Sequence, residues 1–453
     1  MNKYFKKTVF IVLTYLIFVL PNYANEISKY IRQSDFELKS TVSVFVKDLK
    51  NNDVLYKKNE QKLLNPASIL KALTFGTAYK VLGQGYKFET ALYKDKSNNL
   101  YVKLGGDTLL TEPDLEELFA QFKQKNRDFK INNIYIDDTI IDKTPYPSGW
   151  MEDDIWPVSR AITPYIVDNN YTNILIKRSS LSKRIDIIQN DDYKLPIVNE
   201  LNAVDKESGI QKIKFERLYG DESSIVNLKG DIARDENILL PVLKPEINFN
   251  IKLQNAIKKN EIKFNRQIIS KKIPAGAYKA AYVSHTIEDI SKKILLNSDN
   301  FSAEVVFKVA AAKYINYAHP ATLDDAINMF NKINEKHITD GIKIADGSGV
   351  SRYNLVSSEF VSNVLEDLVK NTNIKPLFAT SSEGTLNERL LFLKDNLRAK
   401  TGTLSKMSSI AGFVTTEKNT DTIFVIIVQN SPKRKAVLKN FENTIVSLIY
   451  KEY

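Results

Sequence analysis

The stretch from Asn65 to Gly83 constrains this chain more than any other. Asn65-Pro66 is a helix-start signal: Asn can cap, and Pro fits the first turn, where its missing N–H is not needed. Ala67 to Leu82 is largely apolar, and Gly83 ends the run. A helix apolar on most sides has to be enclosed by other elements. Ser68 then lies in the first turn, and Lys71, three residues on, shares its face. The amine can serve as base for the hydroxyl, and a helix N-terminus favours developing negative charge. Ser-x-x-Lys alone is a weak pattern, since Ser180-Leu181-Ser182-Lys183 fits it too.

At 453 residues the chain is too long for one ordinary domain, and 43% hydrophobic content suits a globular protein. Residues 1–24 stand apart. Met1 to Lys7 is basic, Thr8 to Leu20 is apolar or weakly polar, and Pro21-Asn22-Tyr23-Ala24 breaks the run. That is the layout of a secretory signal with cleavage after Ala24, and the apolar part is short for a membrane span. A periplasmic or secreted location is expected, with an uncleaved membrane anchor as the alternative.

There is no cysteine, so disulfides, a thiol nucleophile and thiolate metal sites are excluded. His285, His319 and His337 are the only histidines, and none forms a ligand-like pair. No metal or other cofactor is expected. The net charge of +10 is spread over scattered basic residues. It fits solvated surface and a field favourable to anionic envelope polymers, and no nucleic-acid partner is expected.

Along the chain, Thr41–Val46 and Val54–Tyr56 read as a strand pair ahead of the Ser68 helix. Beyond Gly83 the character changes. Tyr86–Leu104 reads as two strands, Glu112–Lys123 as an amphipathic helix and Ile131–Ile136 as a strand. Gly149–Asn170 is irregular and holds Trp150 and Trp156, both read as packing residues. Asn173–Leu239 is strand-rich, with turns at Asn190-Asp191-Asp192 and Tyr219-Gly220-Asp221, and Pro245 opens a helix to about Lys259. From His285 helices dominate: Ile287–Leu296, Ala303–Tyr317, Thr322–Glu335 and Ser358–Lys370. Three strands (Arg398–Leu404, Ser408–Thr416, Thr422–Gln429) and a terminal helix close the chain.

Three separated signals line up: Ser68-Ile69-Leu70-Lys71 at a helix start, Ser298-Asp299-Asn300 between two helices, and Lys400-Thr401-Gly402 on a strand. Their chemistry is coherent. Ser68 is the nucleophile. Lys71 is its base, kept neutral by positive charge that Lys400 can supply. Ser298 can relay a proton to a leaving amine, and Asn300 can hold a substrate amide. Thr401 and Thr403 can bind a carboxylate beside Lys400. The N–H groups of Ser68 and Thr403 would form an oxyanion hole, and an edge strand through Gly402 can pair with extended peptide.

This ordered set is similar to that of penicillin-binding proteins and class A β-lactamases. Asp346-Gly347-Ser348-Gly349-Val350-Ser351-Arg352 narrows the resemblance. So do Gly384-Thr385-Leu386 with Arg389, and Gly105-Gly106-Asp107. The chain resembles the low-molecular-mass class C penicillin-binding proteins, the D-alanyl-D-alanine carboxypeptidase/endopeptidase family. Glu383 and Thr108 depart from the family's usual Asp and Pro. The resemblance implies an α/β (α+β) fold: a β-lactamase-like serine acyl-transferase domain, antiparallel sheet with helices. About 230 residues separate Ser68 from Ser298, so that domain is split by a long, β-rich insertion. The expected division is 25–83 with 280–453 for the peptidase, 84–170 with 240–279 for an inserted domain, and 171–239 for a nested β domain.

The resemblance further implies a peptidoglycan hydrolase acting on stem peptides and cross-links and inhibited by β-lactams. It gives Asp154, or its neighbour Asp153, a role in meeting the amino group of a diaminopimelate side chain. The alternatives are a serine β-lactamase, for which no Glu-x-x-Leu-Asn deacylation element is evident, and a non-catalytic cell-wall-binding scaffold. The sequence leaves oligomeric state open.

Overall fold

The computed structural model describes residues 25–126, 130–155, 159–179, 184–219, 224–265 and 269–453. The expected signal at 1–24, Trp156, the second Ser-x-x-Lys match at 180–183 and the turn at Gly220-Asp221 lie outside these residues.

The main sheet has five antiparallel strands in the order Leu397–Leu404, Met407–Thr415, Asp421–Gln429, Thr41–Asp48, Val54–Lys58. Successive side chains of a strand point to opposite faces, and Asp421–Gln429 uses both. Phe424, Ile426 and Val428 enter a core with the helices Glu26–Gln33 and Lys435–Glu452. Ile423, Val425 and Ile427 enter a larger core with the helices Leu70–Leu82, Asn300–Tyr314 and Ser358–Asn371. Each fully buried Leu, Ile or Phe contributes roughly 2 kcal/mol, and these two cores stand in for disulfides. All of Leu70–Leu82 except Lys80 and Val81 is buried, as its apolar run requires.

The insertion leaves at the end of this helix and returns at Thr286. Its sheet runs Ile269–Ser270, Ile134–Asp137, Leu100–Lys103, Lys87–Lys94, Tyr278–Thr286. A smaller β unit holds two three-stranded sheets over its own core of Ile174, Ile176, Val226 and Leu228. Two expected boundaries move. Strand Tyr278–Thr286 pairs with Lys87–Lys94, so the inserted sheet runs past 279. Strand Glu236–Pro241 pairs with Tyr171–Arg178, so the small unit runs past 239. A third difference is larger. Ile140, Ile141, Trp150, Ile162 and Ile166 fall in the sequence-expected inserted domain, yet they pack in the same core as the Ser68 helix.

Four contacts brace the insertion against the peptidase helices. Arg160 pairs with Asp299, and Lys308 Nζ lies 2.6 Å from Asp142 Oδ1. Lys293 Nζ donates to Thr108 O and to Asn169 Oδ1, each at 3.1 Å. The expected helix Ile287–Leu296 is α-helical only over Ile287–Ser291. Lys292–Leu296 is a π-helical turn, a feature frequent next to functional sites.

Candidate active site

Asn65 caps the chain as its sequence suggests: its Oδ1 accepts from Ala67 N at 2.9 Å. The first turn, Ala67–Ile69, is tighter than an α-helix, and α geometry starts at Leu70. Ala67 has φ 49°, a left-handed conformation that a residue with a Cβ rarely adopts. The backbone immediately before Ser68 is therefore strained, as is common at functional turns. Lys71 Nζ donates to Ser68 Oγ at 2.9 Å, to Asn300 Oδ1 at 2.7 Å and to the Ser348 carbonyl at 2.7 Å. Three acceptors use the three ammonium protons, so the amine is fixed against the hydroxyl.

The Ser348 acceptor comes from the Asp346-Gly347-Ser348-Gly349 loop. Asp346 Oδ1 accepts from Gly349 N at 2.8 Å and from Asn354 Nδ2 at 2.7 Å. Its Oδ2 accepts from Ser351 N at 2.6 Å and from Trp150 Nε1 at 2.9 Å. Trp150 packs, as expected, and its N–H also ties the 149–155 segment to this loop. Gly349 has φ 83°, and a Cβ there would lie 2.0 Å from Ala67 O, so only glycine allows the loop this close to the nucleophile turn.

The other half of the site lies on the sheet edge. Lys400 Nζ donates to Ser298 Oγ and to Thr401 O, both at 2.8 Å. Ser298 has φ 60° and turns its hydroxyl toward this lysine. Thr401 Oγ1 bonds Thr385 Oγ1 at 2.7 Å. Leu397–Leu404 is the outermost strand of the sheet. Ala399 N donates outward, to Ala379 O at 2.9 Å, so by strand parity Thr401 and Thr403 present their N–H groups on the same free edge. A Cβ at Gly402 would lie 2.8 Å from Ser68 N and 3.0 Å from Pro66 O. The bare glycine lets the strand press on the nucleophile turn, which brings Ser68 N–H and the Thr403 edge together. The structure thus joins Ser68, Lys71, Ser298, Asn300, Lys400, Thr401 and Gly402 in one cluster, with Thr403 next on the strand.

Burial lowers the Lys71 ammonium to about 8, although Asp346, Glu304 and Asp299 all act to raise it. Lys400 is lowered well below its ordinary value, by burial first and by Lys71 second. This corrects the expectation that Lys400 is what holds Lys71 neutral. Desolvation is the main cause at both amines. Unlike Lys71, Lys400 has no carboxylate acting to raise it.

Residues 23–451 match the D-Ala-D-Ala carboxypeptidase 3 (S13) family. The chain belongs to that family. It is 26% identical over 472 residues to D-alanyl-D-alanine carboxypeptidase DacB of Haemophilus influenzae, covering 96% of each chain. It is also similar to the crystal structure of penicillin binding protein 4 from that organism, with TM-score 0.80 and 23% identity over 94% of this chain and 99% of the other. A second structure of that protein, complexed with a β-lactam, gives TM-score 0.76 and 24% identity over the same shares. The class C resemblance and the antiparallel sheet-and-helix fold read from the motifs are thereby borne out.

Within this S13 chain, Asp154 sits apart from the cluster. Its carboxylate pairs with Arg352, Oδ2 at 2.9 Å and Oδ1 at 3.2 Å, and Arg352 N donates to Gly149 O at 3.0 Å. Its charge already has a partner in the chain, whereas Asp153 is exposed. Two buried groups, Glu304 and Arg160, escaped sequence reading. Glu304 accepts Gly347 N through both carboxylate oxygens at 2.9 Å. Arg160 grips Asp299, next to Asn300, and lies 4.5 Å from the Phe301 ring. Thr385 fixes Thr401. The available signal for Glu304 was its place four residues after Asn300, on the same helical face.

Proposed function

We propose that the chain is a serine D-alanyl-D-alanine peptidase of peptidoglycan. The observation that carries the reading is the Lys71 amine held between Ser68 Oγ and Asn300 Oδ1, with Lys400 on Ser298 across the same site. Membership of the S13 family supports the same activity.

Neutral Lys71 takes the Ser68 proton as Oγ attacks the carbonyl carbon of the terminal D-Ala–D-Ala bond. The oxyanion is received by the N–H groups of Ser68 and Thr403. The C–N bond breaks as Ser298 passes its proton to the leaving amine and takes up the one that Lys71 received from Ser68, which leaves Lys71 neutral again. Water then hydrolyses the ester and regenerates Ser68. Asn300 holds a stem-peptide amide, and Lys400, Thr401 and Thr403 receive the terminal carboxylate. The free strand edge suits an extended peptide, so cross-links between stem peptides are substrates as well as free pentapeptide tails. Penicillins acylate the same serine.

Two finer assignments belong to this reading. Residues 1–24 direct the chain to the periplasm or beyond, where peptidoglycan lies. Asp154 turns from Arg352 to the amine of a diaminopimelate side chain when substrate is bound.

A fluorescent penicillin should label the wild-type chain and leave Ser68→Ala unlabelled. Equal labelling of both would sink the proposal. Release of D-Ala from pentapeptide, alongside opening of purified cross-linked muropeptides, separates carboxypeptidase from endopeptidase work.

A further inference from the structure

Glu304 is fully buried, lies outside the three motifs and takes no part in the steps above. It sits one turn after Asn300 on the helix Asn300–Tyr314, so the two share a face. Asn300 Oδ1 grips Lys71 directly. Glu304 grips the loop that does so from the other side: both its oxygens accept Gly347 N, and the next residue offers its carbonyl to Lys71. Gly347 O in turn accepts Thr74 Oγ1 at 2.6 Å, from the Ser68 helix. The Gly347 peptide is thus clamped between the helix that bears the nucleophile and the helix that bears Glu304.

The charges around this clamp are unbalanced. Asp346 and Glu304 are both buried, and each acts on Lys71. Asp346 accepts from four donors, two of them backbone N–H groups. Glu304 receives one backbone N–H, shared between its oxygens, and a side-chain hydrogen bond from Ser348. Its nearest cation on its own helix, Lys308, is already engaged by Asp142. Asp299 is neutralised by Arg160 and faces Lys293. From the sheet edge the facing charge is Lys400. Lys71 and Glu304 thus hold neighbouring backbone groups of one loop, Ser348 O and Gly347 N.

We propose that Glu304 is a positioning residue that acts on Ser68 through Lys71: as an anion it keeps the proton on the amine, and as an acid it leaves the amine free to serve as base. The two arrangements, carboxylate with ammonium and carboxylic acid with neutral amine, hold the same number of protons. The second contains a competent base without loss of a proton to solvent. Burial and Asp346 push Glu304 up to about 8, which matches the value to which burial brings Lys71. Well below that pH both groups hold their protons, and the two arrangements arise as one proton leaves the pair.

This inference rests on acylation of Ser68 by way of Lys71, and its test separates the two claims. The acylation rate of wild type, Glu304→Gln and Ser68→Ala by a fluorescent penicillin is measured from acid to alkaline pH. Glutamine keeps an acceptor for Gly347 N and removes the charge. Through about pH 8 the rising limb for Glu304→Gln should lie about one pH unit below that of wild type, the lower end of what a nearby charge does. The two should coincide at about pH 6, where Glu304 is already the acid, and Glu304→Gln should exceed wild type severalfold at about pH 8. An unchanged limb with a lower plateau means a purely structural Glu304 and overturns the inference. A limb that moves up overturns it too. Absence of Ser68-dependent labelling in wild type would instead overturn the proposed function. If Glu304→Gln does not fold, infrared difference spectra of wild type decide. A protonated carboxylic-acid band must persist above about pH 6, where an ordinary Glu has lost its proton, and must fade through about 8. A carboxyl spectrum fully ionised by about pH 6 overturns the inference.

Discussion

Lys71 and Lys400 are both fully buried and each touches a serine hydroxyl, yet the halves of the site that hold them are built differently. Around Lys71 three carboxylates, from the Asn300 helix, its cap and the 346–349 loop, work against desolvation. Lys400 has no carboxylate acting on it, only the backbone of Thr401, Ser298 and the repulsion of Lys71. A base must change its charge at working pH, and the first half is balanced for that. An anion receptor needs a basic group that no carboxylate of the chain already holds, and the second half supplies it. Removing either side chain should therefore fail in different ways. Lys71→Ala should lower acylation by about 10³-fold with every substrate, within the usual range for a lost general base. Lys400→Ala should act chiefly through KM, raising it for peptides that end in a free carboxylate and much less for the same peptides amidated. Steady-state kinetics on both peptide series checks this. Identical losses for the two forms in Lys400→Ala would break the distinction.

The two halves meet at Gly402. A Cβ there would lie 2.8 Å from Ser68 N and 3.0 Å from Pro66 O, both backbone atoms with little room to yield. Gly402→Ala should push the strand off the nucleophile turn and cost about 10²-fold in acylation, the scale of one oxyanion donor. Stopped-flow acylation together with a thermal melt tests it. A variant within twofold of wild type would show that the halves need no such approach.

The pH response should come from the Lys71 half. Burial places that amine at about 8, and the neutral form is the base. Acylation should rise with pH, roughly tenfold per unit well below that value, and level off above it. A profile already flat at about pH 6 would mean that the carboxylates around Lys71 are not felt by the reaction.

What was legible in the sequence follows the same division. The apolar run after Ala67, the helix Pro245–Lys259 and the last three strands are periodic or bounded by clear signals, and they lie where their residues indicate. The three motifs were legible because each is contiguous. Contacts made across the chain were not. Arg160 meets Asp299 from 139 residues away, and Trp150 meets Asp346 from 196 away. No local pattern marks either pair. The segment from Ile140 to Ile166 has no period to show which core it joins. The π-helical turn before Ser298 has the composition of an ordinary helix. The electrostatic assignment missed for a related reason: the repulsion between Lys71 and Lys400 was visible as two charges, whereas the desolvation that outweighs it is a property of the closed core.

The smallest effect would sharpen the contrast most directly. Lys400 is held well below its ordinary value by burial and by Lys71. An incoming carboxylate favours the charged form. Binding of an acyl-D-Ala-D-Ala peptide should therefore take up a fraction of one proton at a pH above the lowered value. The sign is fixed, because the peptide carboxylate is already ionised and has no proton to give at neutral pH. Calorimetry on Ser68→Ala in two buffers of different ionisation enthalpy reads the uptake as the difference between the two binding enthalpies. The same measurement on Ser68→Ala with Lys400→Ala should show none. Uptake that survives loss of Lys400 would place the responsive proton on the Lys71 side, and the assignment of one half to proton transfer and the other to anion recognition would have to be redrawn.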